Sequence, residues 1–217
     1  MRSGKYRTAL FLIMMLLMAG VCLYAVCMLR IYIVSEESMS PTLAPGDKIL
    51  SVRINTVTCR SLAGKPVIFY FPYGTFQENI ECNTDIKLIK RCVGEPGDTV
   101  LIRYDRDFKD TSGWPLTAGD VITNVGGHRC DDIFHMSPVY VPASGDTLRY
   151  SESNSGIYRR IIDYEQNSGN VSTDPTLHVF DRNYYFVVGD NHLASYDSRH
   201  WGFVPEEFII SYMLIRL

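Results

Sequence analysis

A serine hydroxyl becomes a useful nucleophile only when a nearby base takes its proton, and two segments of this 217-residue chain carry the parts. The first is Ser35-Glu36-Glu37-Ser38-Met39-Ser40-Pro41-Thr42-Leu43, followed by the turn Pro45-Gly46-Asp47. The second is Ile89-Lys90-Arg91-Cys92-Val93-Gly94-Glu95-Pro96-Gly97-Asp98. A lysine set among apolar strand residues is costly to bury charged, so its pKa falls toward the working pH, as a general base requires. A third segment, from Gly189-Asp190-Asn191 to Val204-Pro205, is dense in small hydrogen-bonding residues and follows an apolar strand. That is the texture of a loop bracing a polar site. Taken singly, each segment could equally be an ordinary turn, a solvated pair of charges or a satisfied loop.

These residues need elements to hold them. Residues 9–29 contain no charge and are apolar apart from Gly20, long enough as a helix to cross a hydrocarbon core of about 30 Å. The segment before it carries Arg2, Lys5 and Arg7 and no acid, whereas residues 30–217 hold the other 18 bases and all 24 acids. The positive-inside rule predicts a single-pass anchor with its N-terminus in the cytoplasm and the remainder translocated. A cleaved secretory signal would have an apolar core of only about 7–15 residues. Ser38 lies a few residues beyond the anchor, so its chemistry would act on something presented at the bilayer.

Beyond Arg30 the chain breaks into short apolar or alternating runs punctuated by Gly, Pro, Asn and Asp, which predicts a mainly antiparallel β domain. Strands are expected at 48–52, 67–71, 87–92, 99–103, 139–141, 158–164, 184–188 and 209–214. The expected organisation is a basic N-terminus (1–8), the anchor (9–29), a first half of the β core (30–103), an inserted β subdomain (104–180) and a second half (181–217). Residues 104–180 differ from the rest in their content of Gly, Ser, Thr, Asn and Asp. A net charge of −3 argues against a nucleic-acid partner, because phosphate binding needs a positive surface. His128, His135, His178, His192 and His200 form no metal-ligand spacing, and no metal or other cofactor is expected. Cys22 and Cys27 fall in the apolar run; Cys59, Cys82, Cys92 and Cys130 allow three full disulfide pairings, with none favoured.

In this order the segments resemble the type I signal peptidases, Ser-Lys endopeptidases that remove signal peptides from exported proteins. Ser38-Met39-x-Pro41-Thr42 is similar to the nucleophile box of that family, and residues 64–69, Gly-Lys-Pro-Val-Ile-Phe, to its central strand box. Lys90-Arg91-x-Val93-Gly94-x-Pro96-Gly97-Asp98 is similar to its lysine box, and Gly189-Asp190-Asn191 with Ser195-x-Asp197-Ser198-Arg199-x-x-Gly202 to its C-terminal box. The resemblance implies Ser38 as nucleophile, Lys90 as base, Ser195 as the hydroxyl orienting the lysine, and the Ser38 backbone N–H as an oxyanion donor. Asp197 and Arg199, with Arg91 as a partner, would brace the site by charge pairing.

It also implies an extended substrate added as a strand beside residues 87–90, with shallow pockets for small residues one and three positions before the cut. Met39, Phe69 and Ile89 are the expected apolar lining. The setting implied is a bacterial cytoplasmic membrane, with a monomeric catalytic domain on its outer or periplasmic face and signal peptides of exported preproteins as partners. Two departures stand out. Glu36 occupies the position two before the nucleophile, where one branch of the family has a serine donor to the oxyanion, and a carboxylate there should turn away. His192-Leu193-Ala194 replaces the more polar residues usual in that loop. They leave two alternatives: a specialised peptidase for pilin or conjugation-system precursors, and a catalytically silent, membrane-tethered binding module.

Overall fold

The computed structural model describes residues 2–54, 61–73, 80–104, 121–124, 139–149, 155–172 and 174–217. Cys59, Cys130, His128 and His135 lie outside them. The chain opens with α1 (Arg2–Met28), most of whose described apolar side chains are exposed; Leu10–Met28 is long and apolar enough to cross a membrane. At 1.5 Å per residue those 19 residues span about 28 Å.

The helix runs directly into β1 (Leu29–Ile33), then a single 3₁₀ turn (Glu37–Met39), β2 (Lys48–Arg53), β3 (Pro66–Tyr73) and β4 (Ile80–Gly94). After these come β5 (Thr99–Tyr104), β6 (Val121–Asn124), β7 (Val139–Tyr140), β8 (Thr147–Arg149), α2 (Ser155–Asn167) and β9 (Leu177–Val179). The chain ends with β10 (Tyr184–Val188), the short helix α3 (Ser198–Trp201), β11 (Val204–Pro205), a 3₁₀ turn (Glu206–Phe208) and β12 (Ile209–Arg216). Seven strands form one antiparallel sheet in the order β1-β2-β12-β3-β4-β10-β11. A mainly antiparallel β fold behind an apolar N-terminal helix is therefore what the sequence forms.

Two expectations need correction. Residues 158–164, read as a strand, lie in α2. Their buried side chains Ile157, Tyr158, Ile161, Ile162 and Glu165 recur at helical intervals along one face, a period that the β-branched composition hid. The β5–β6 pair is parallel, with Leu101 opposite Val121, unlike the antiparallel pairing expected throughout.

The larger core, which includes Phe69, Val93, Phe186, Trp201 and Phe203, lies between the sheet and α2; a smaller cluster of Val34, Met39, Leu43, Ile49 and Ile68 lies under the 3₁₀ turn. α2 is fixed to the sheet by Glu165, fully buried, whose carboxylate accepts hydrogen bonds from Tyr184 Oη (2.8 Å), Asn170 Nδ2 (2.9 Å) and the Asp181 N–H (3.0 Å) and lies 2.9 Å from His178 Nε2. Burial and the adjacent carboxylate push the Tyr184 phenol far up, so it stays a donor. Removing the carboxylate would strand these donors in a dry interior. Glu165→Ala is expected to cost about 3–5 kcal/mol in urea unfolding, with Glu165→Gln costing less.

Candidate active site

β4 is a long arm whose first half is exposed and whose residues 90–94 are buried. That contrast puts Lys90 at the start of the buried part of the strand. Lys90 pairs with Val67 of β3, and Arg91 pairs with Val188 of β10, so both sit mid-sheet. The nucleophile candidate arrives from the opposite direction. Val34 and Met39 drop into the smaller cluster, and Met39, fully buried, pins the 3₁₀ turn that carries Ser38. The turn is fastened from above by Asn191, whose N–H donates to the Ser38 carbonyl (3.0 Å) and whose Nδ2 donates to the Glu37 carbonyl (3.1 Å).

The result is a contact across 52 positions of sequence: Lys90 Nζ and Ser38 Oγ lie 2.5 Å apart, with the lysine 2% and the serine 5% exposed. Burial pulls the Lys90 amine below its ordinary pKa, helped by the Arg199 guanidinium. Asp197, Glu36 and Asp190 oppose that shift without reversing it. A neutral amine in this position has a lone pair directed at a hydroxyl proton.

Behind the pair lies Asp197, wholly buried. One of its carboxylate oxygens accepts from Arg199 Nε (2.8 Å), the other from Arg199 Nη2 (2.8 Å), the Gly189 N–H (2.9 Å) and Ser195 Oγ (2.6 Å). It also caps α3. Burial alone would raise its pKa, but Arg199 together with hydrogen bonds from His200, Arg199 and Ser195 holds the carboxyl well below the usual range. Ser195, expected to orient the lysine, directs its own proton to Asp197, and Ser38 is the hydrogen-bond partner of Lys90 Nζ among the described residues.

Arg91 pairs with Asp190, where the sequence pointed to the Asp197–Arg199 group. Nε and Nη2 form a fork on the Asp190 carboxylate (2.7 and 2.5 Å), while Nη1 donates to the Gly64 carbonyl (2.6 Å). With a longer contact from Nη2 to Thr42 Oγ1 (3.4 Å), this one guanidinium joins all four sequence boxes. Asp190 and Asn191 were given no roles of their own, although both stood in the Gly189-Asp190-Asn191 motif; the signal was present and its partners were not.

Gly189 shows why the loop is so constrained. A Cβ there would lie 2.5 Å from the Ser38 carbonyl oxygen and from Ser195 Cβ, distances that non-bonded carbons do not adopt. Gly189→Ala is expected to fold with a displaced 195–197 loop and to lose 10²-fold or more of any activity that depends on Ser38, on the order expected for an ångström-scale misplacement.

Ser38 opens onto a cleft of about 100 Å³ lined by Tyr32, Val34, Glu36, Ile68, Leu88 and Ile89, among others. Residues 87–89 pair with β3 on one side only, since β10 meets β4 from Arg91 onward, so their other edge faces the cleft. Of the three residues expected to line it, Ile89 does; Met39 lies in the smaller cluster and Phe69 packs in the main core against Trp201. Glu36, expected to turn away, lines the same cleft as Ser38. His192-Leu193-Ala194 forms the turn between Asn191 and Ser195, with His192 half-buried and Leu193 exposed.

An antiparallel sheet bearing a buried hydroxyl–amine pair at the end of an apolar cleft defines the structural class, a β protein with a Ser-Lys site. A sequence model of the signal peptidase family, peptidase S26, matches residues 6–110 and 134–217, and the chain belongs to that family. Among similar proteins, "Signal peptidase I" of Aquifex aeolicus is 27% identical over 193 residues, covering 82% of this chain and 71% of the relative. "Signal peptidase I" of Leptolyngbya laminosa is 26% identical, covering 84% and 66%. "Signal peptidase IB" of Staphylococcus aureus is 25% identical, covering 85% and 75%.

Proposed function

We propose that this protein is a membrane-anchored serine endopeptidase that removes N-terminal signal peptides from exported preproteins, with Ser38 as nucleophile and Lys90 as general base. The observation that carries this reading is the 2.5 Å Ser38–Lys90 contact in a buried site whose surroundings favour the neutral amine. Lys90 Nζ takes the Ser38 proton as Oγ attacks the scissile carbonyl, then passes a proton to the departing amine, and water repeats the cycle on the acyl-enzyme. The Ser38 N–H lies in the first turn of the 3₁₀ segment, where backbone donors lack intrahelical acceptors, and serves the oxyanion. Asp197, Arg199 and Ser195 hold the floor of the site, and Arg91 with Asp190 holds its side.

The substrate enters as an added strand along the open edge of residues 87–89, its small side chains facing the apolar lining. α1 spans the cytoplasmic membrane with its basic end inside, so β1 emerges on the outer face and the cleft lies close to the bilayer. The test is cleavage of a preprotein bearing an Ala-x-Ala site by detergent-solubilised full-length protein. N-terminal sequencing of the product is expected to place the cut after the second Ala, and Ser38→Ala is expected to abolish it. A folded wild type that leaves the preprotein intact would overturn the reading.

A further inference from the structure

Glu36 is the residue in the cleft that the mechanism leaves without a task. It occupies the N-cap position of the 3₁₀ turn, with extended backbone (φ −119°, ψ 160°), yet its side chain caps nothing. Among the described residues it enters no ion pair or hydrogen bond. It lines the same cleft as Ser38, and the field of its carboxylate reaches the buried Lys90. The other charged side chain lining the cleft, Lys87, is placed over the Tyr70 ring, 5.5 Å from its centroid. The cleft therefore presents, two residues from the nucleophile, a carboxylate that no cation among the described residues contacts directly, Lys87 being turned to the Tyr70 ring.

A negative charge there is a liability in acyl transfer. The tetrahedral intermediate develops its own negative charge at the scissile carbonyl, and an adjacent carboxylate raises that barrier. The penalty disappears if the substrate brings a cation. Two residues of extended chain reach about 7 Å, so the substrate positions within range of Glu36 are those within two residues of the scissile bond. Small side chains are required one and three positions before the cut, which leaves the second position before it and the first two after it free to vary.

On the reading of the site as a signal peptidase, we propose that Glu36 is a specificity-determining residue, which selects preproteins carrying Lys or Arg at one of those three positions and disfavours those carrying Asp or Glu. A substrate ammonium or guanidinium beside Glu36 offsets its charge as the oxyanion forms. The discrimination therefore appears in kcat more than in KM, because the repulsion is felt in the transition state.

The experiment uses full-length protein in detergent and a series of preproteins with one Ala-x-Ala site, carrying Lys, Gln or Glu in turn at each of the three positions. Wild type is expected to cut the best Lys substrate with kcat/KM on the order of fivefold above its Glu counterpart at low salt, with the ratio shrinking at 0.5 M NaCl. Glu36→Gln is expected to bring the ratio close to one, and Glu36→Lys to invert it. Equal cutting of Lys and Glu substrates by wild type overturns the inference while leaving the peptidase reading intact. So does a preference that survives in Glu36→Gln. Failure to cut any substrate, the Gln series included, instead overturns the peptidase reading. The wild-type ratio and its salt dependence decide the matter even if a variant fails to fold.

Discussion

Lys90→Met is expected to give a protein that no longer cuts preprotein and yet melts at a higher temperature than wild type at pH 7. Loss of the base should lower kcat/KM by roughly 10⁴-fold or more, comparable to the Ser38→Ala loss, and combining the two substitutions should cost little further, because the pair acts as a unit. The stability gain follows from linkage. The folded-state pKa of Lys90 is lowered from its ordinary 10.5 mainly by burial. Between the depressed value and 10.5 the unfolded chain therefore holds more protons than the folded one, and the burial of Lys90 costs most below that window. Wild-type stability contains a component that rises with pH across the window; methionine, of similar length and with no charge to desolvate, removes it. The difference in melting temperature should thus be largest below the depressed Lys90 pKa and shrink as pH rises toward 10.5.

The same titration sets the activity profile. In the wild type, kcat/KM should climb as pH passes the depressed Lys90 pKa and then level. Asp197, Glu36 and Asp190 hold the proton on, while burial and Arg199 drive it off, so Glu36→Gln should move the rise to lower pH. Thermal melts and a pH–rate series on wild type, Lys90→Met and Glu36→Gln cover these outcomes. A Lys90→Met protein that still cuts, or one destabilised at pH 7, would remove Lys90 from the role of buried base.

Asp197→Asn should be the most damaging single change away from the dyad. Arg199 is 2% exposed and its guanidinium makes its charge-assisted contacts with the carboxylate of Asp197. Neutralising that partner leaves a buried cation without compensation, at a cost of about 3–5 kcal/mol. Because the Asp197 carboxyl is held below the ordinary range, its contribution is complete above about pH 4–5 and is lost as pH falls through the folded-state pKa. The acid limb of a wild-type stability curve should therefore flatten in Asp197→Asn. Activity should fall as well, by about 10²-fold or more, because Gly189, anchored to this carboxylate and packed against Ser195, lies against the Ser38 carbonyl. The double variant Asp197→Asn/Arg199→Met should recover much of the stability and little of the activity, which separates the two roles.

The local alphabet of this protein was readable in its sequence. Residues 9–29 lack any charge, and hydrocarbon length alone makes such a segment a membrane-crossing candidate. The turn residues Pro45-Gly46-Asp47 and Pro96-Gly97-Asp98 mark where β2 and β5 begin, and Ser38, Lys90 and the residues from Gly189 to Arg199 stood out by type and order. What failed locally was α2, where isoleucines and tyrosines signalled a strand while the 3.6-residue spacing of the buried ones decided for a helix.

Pairing was a different matter. That Arg91 meets Asp190 and that Asn191 ties down the Ser38 turn depend on strand β10 lying beside β4, a neighbourhood created by residues some hundred positions apart. Likewise, whether Met39, Phe69 or Ile89 borders the cleft turned on which face of the sheet each one occupied once the two cores had formed. Residue type states what chemistry a side chain can do and is a local property; which partner it meets, how dry the contact is and hence where its pKa lies are properties of packing. Sequence therefore determined the apolar N-terminal helix, the β class and the candidates for serine and base, and the tertiary structure decided the burial that lowers the Lys90 pKa and favours the neutral amine able to accept a proton, the network around it, and the presence of Glu36 in the cleft.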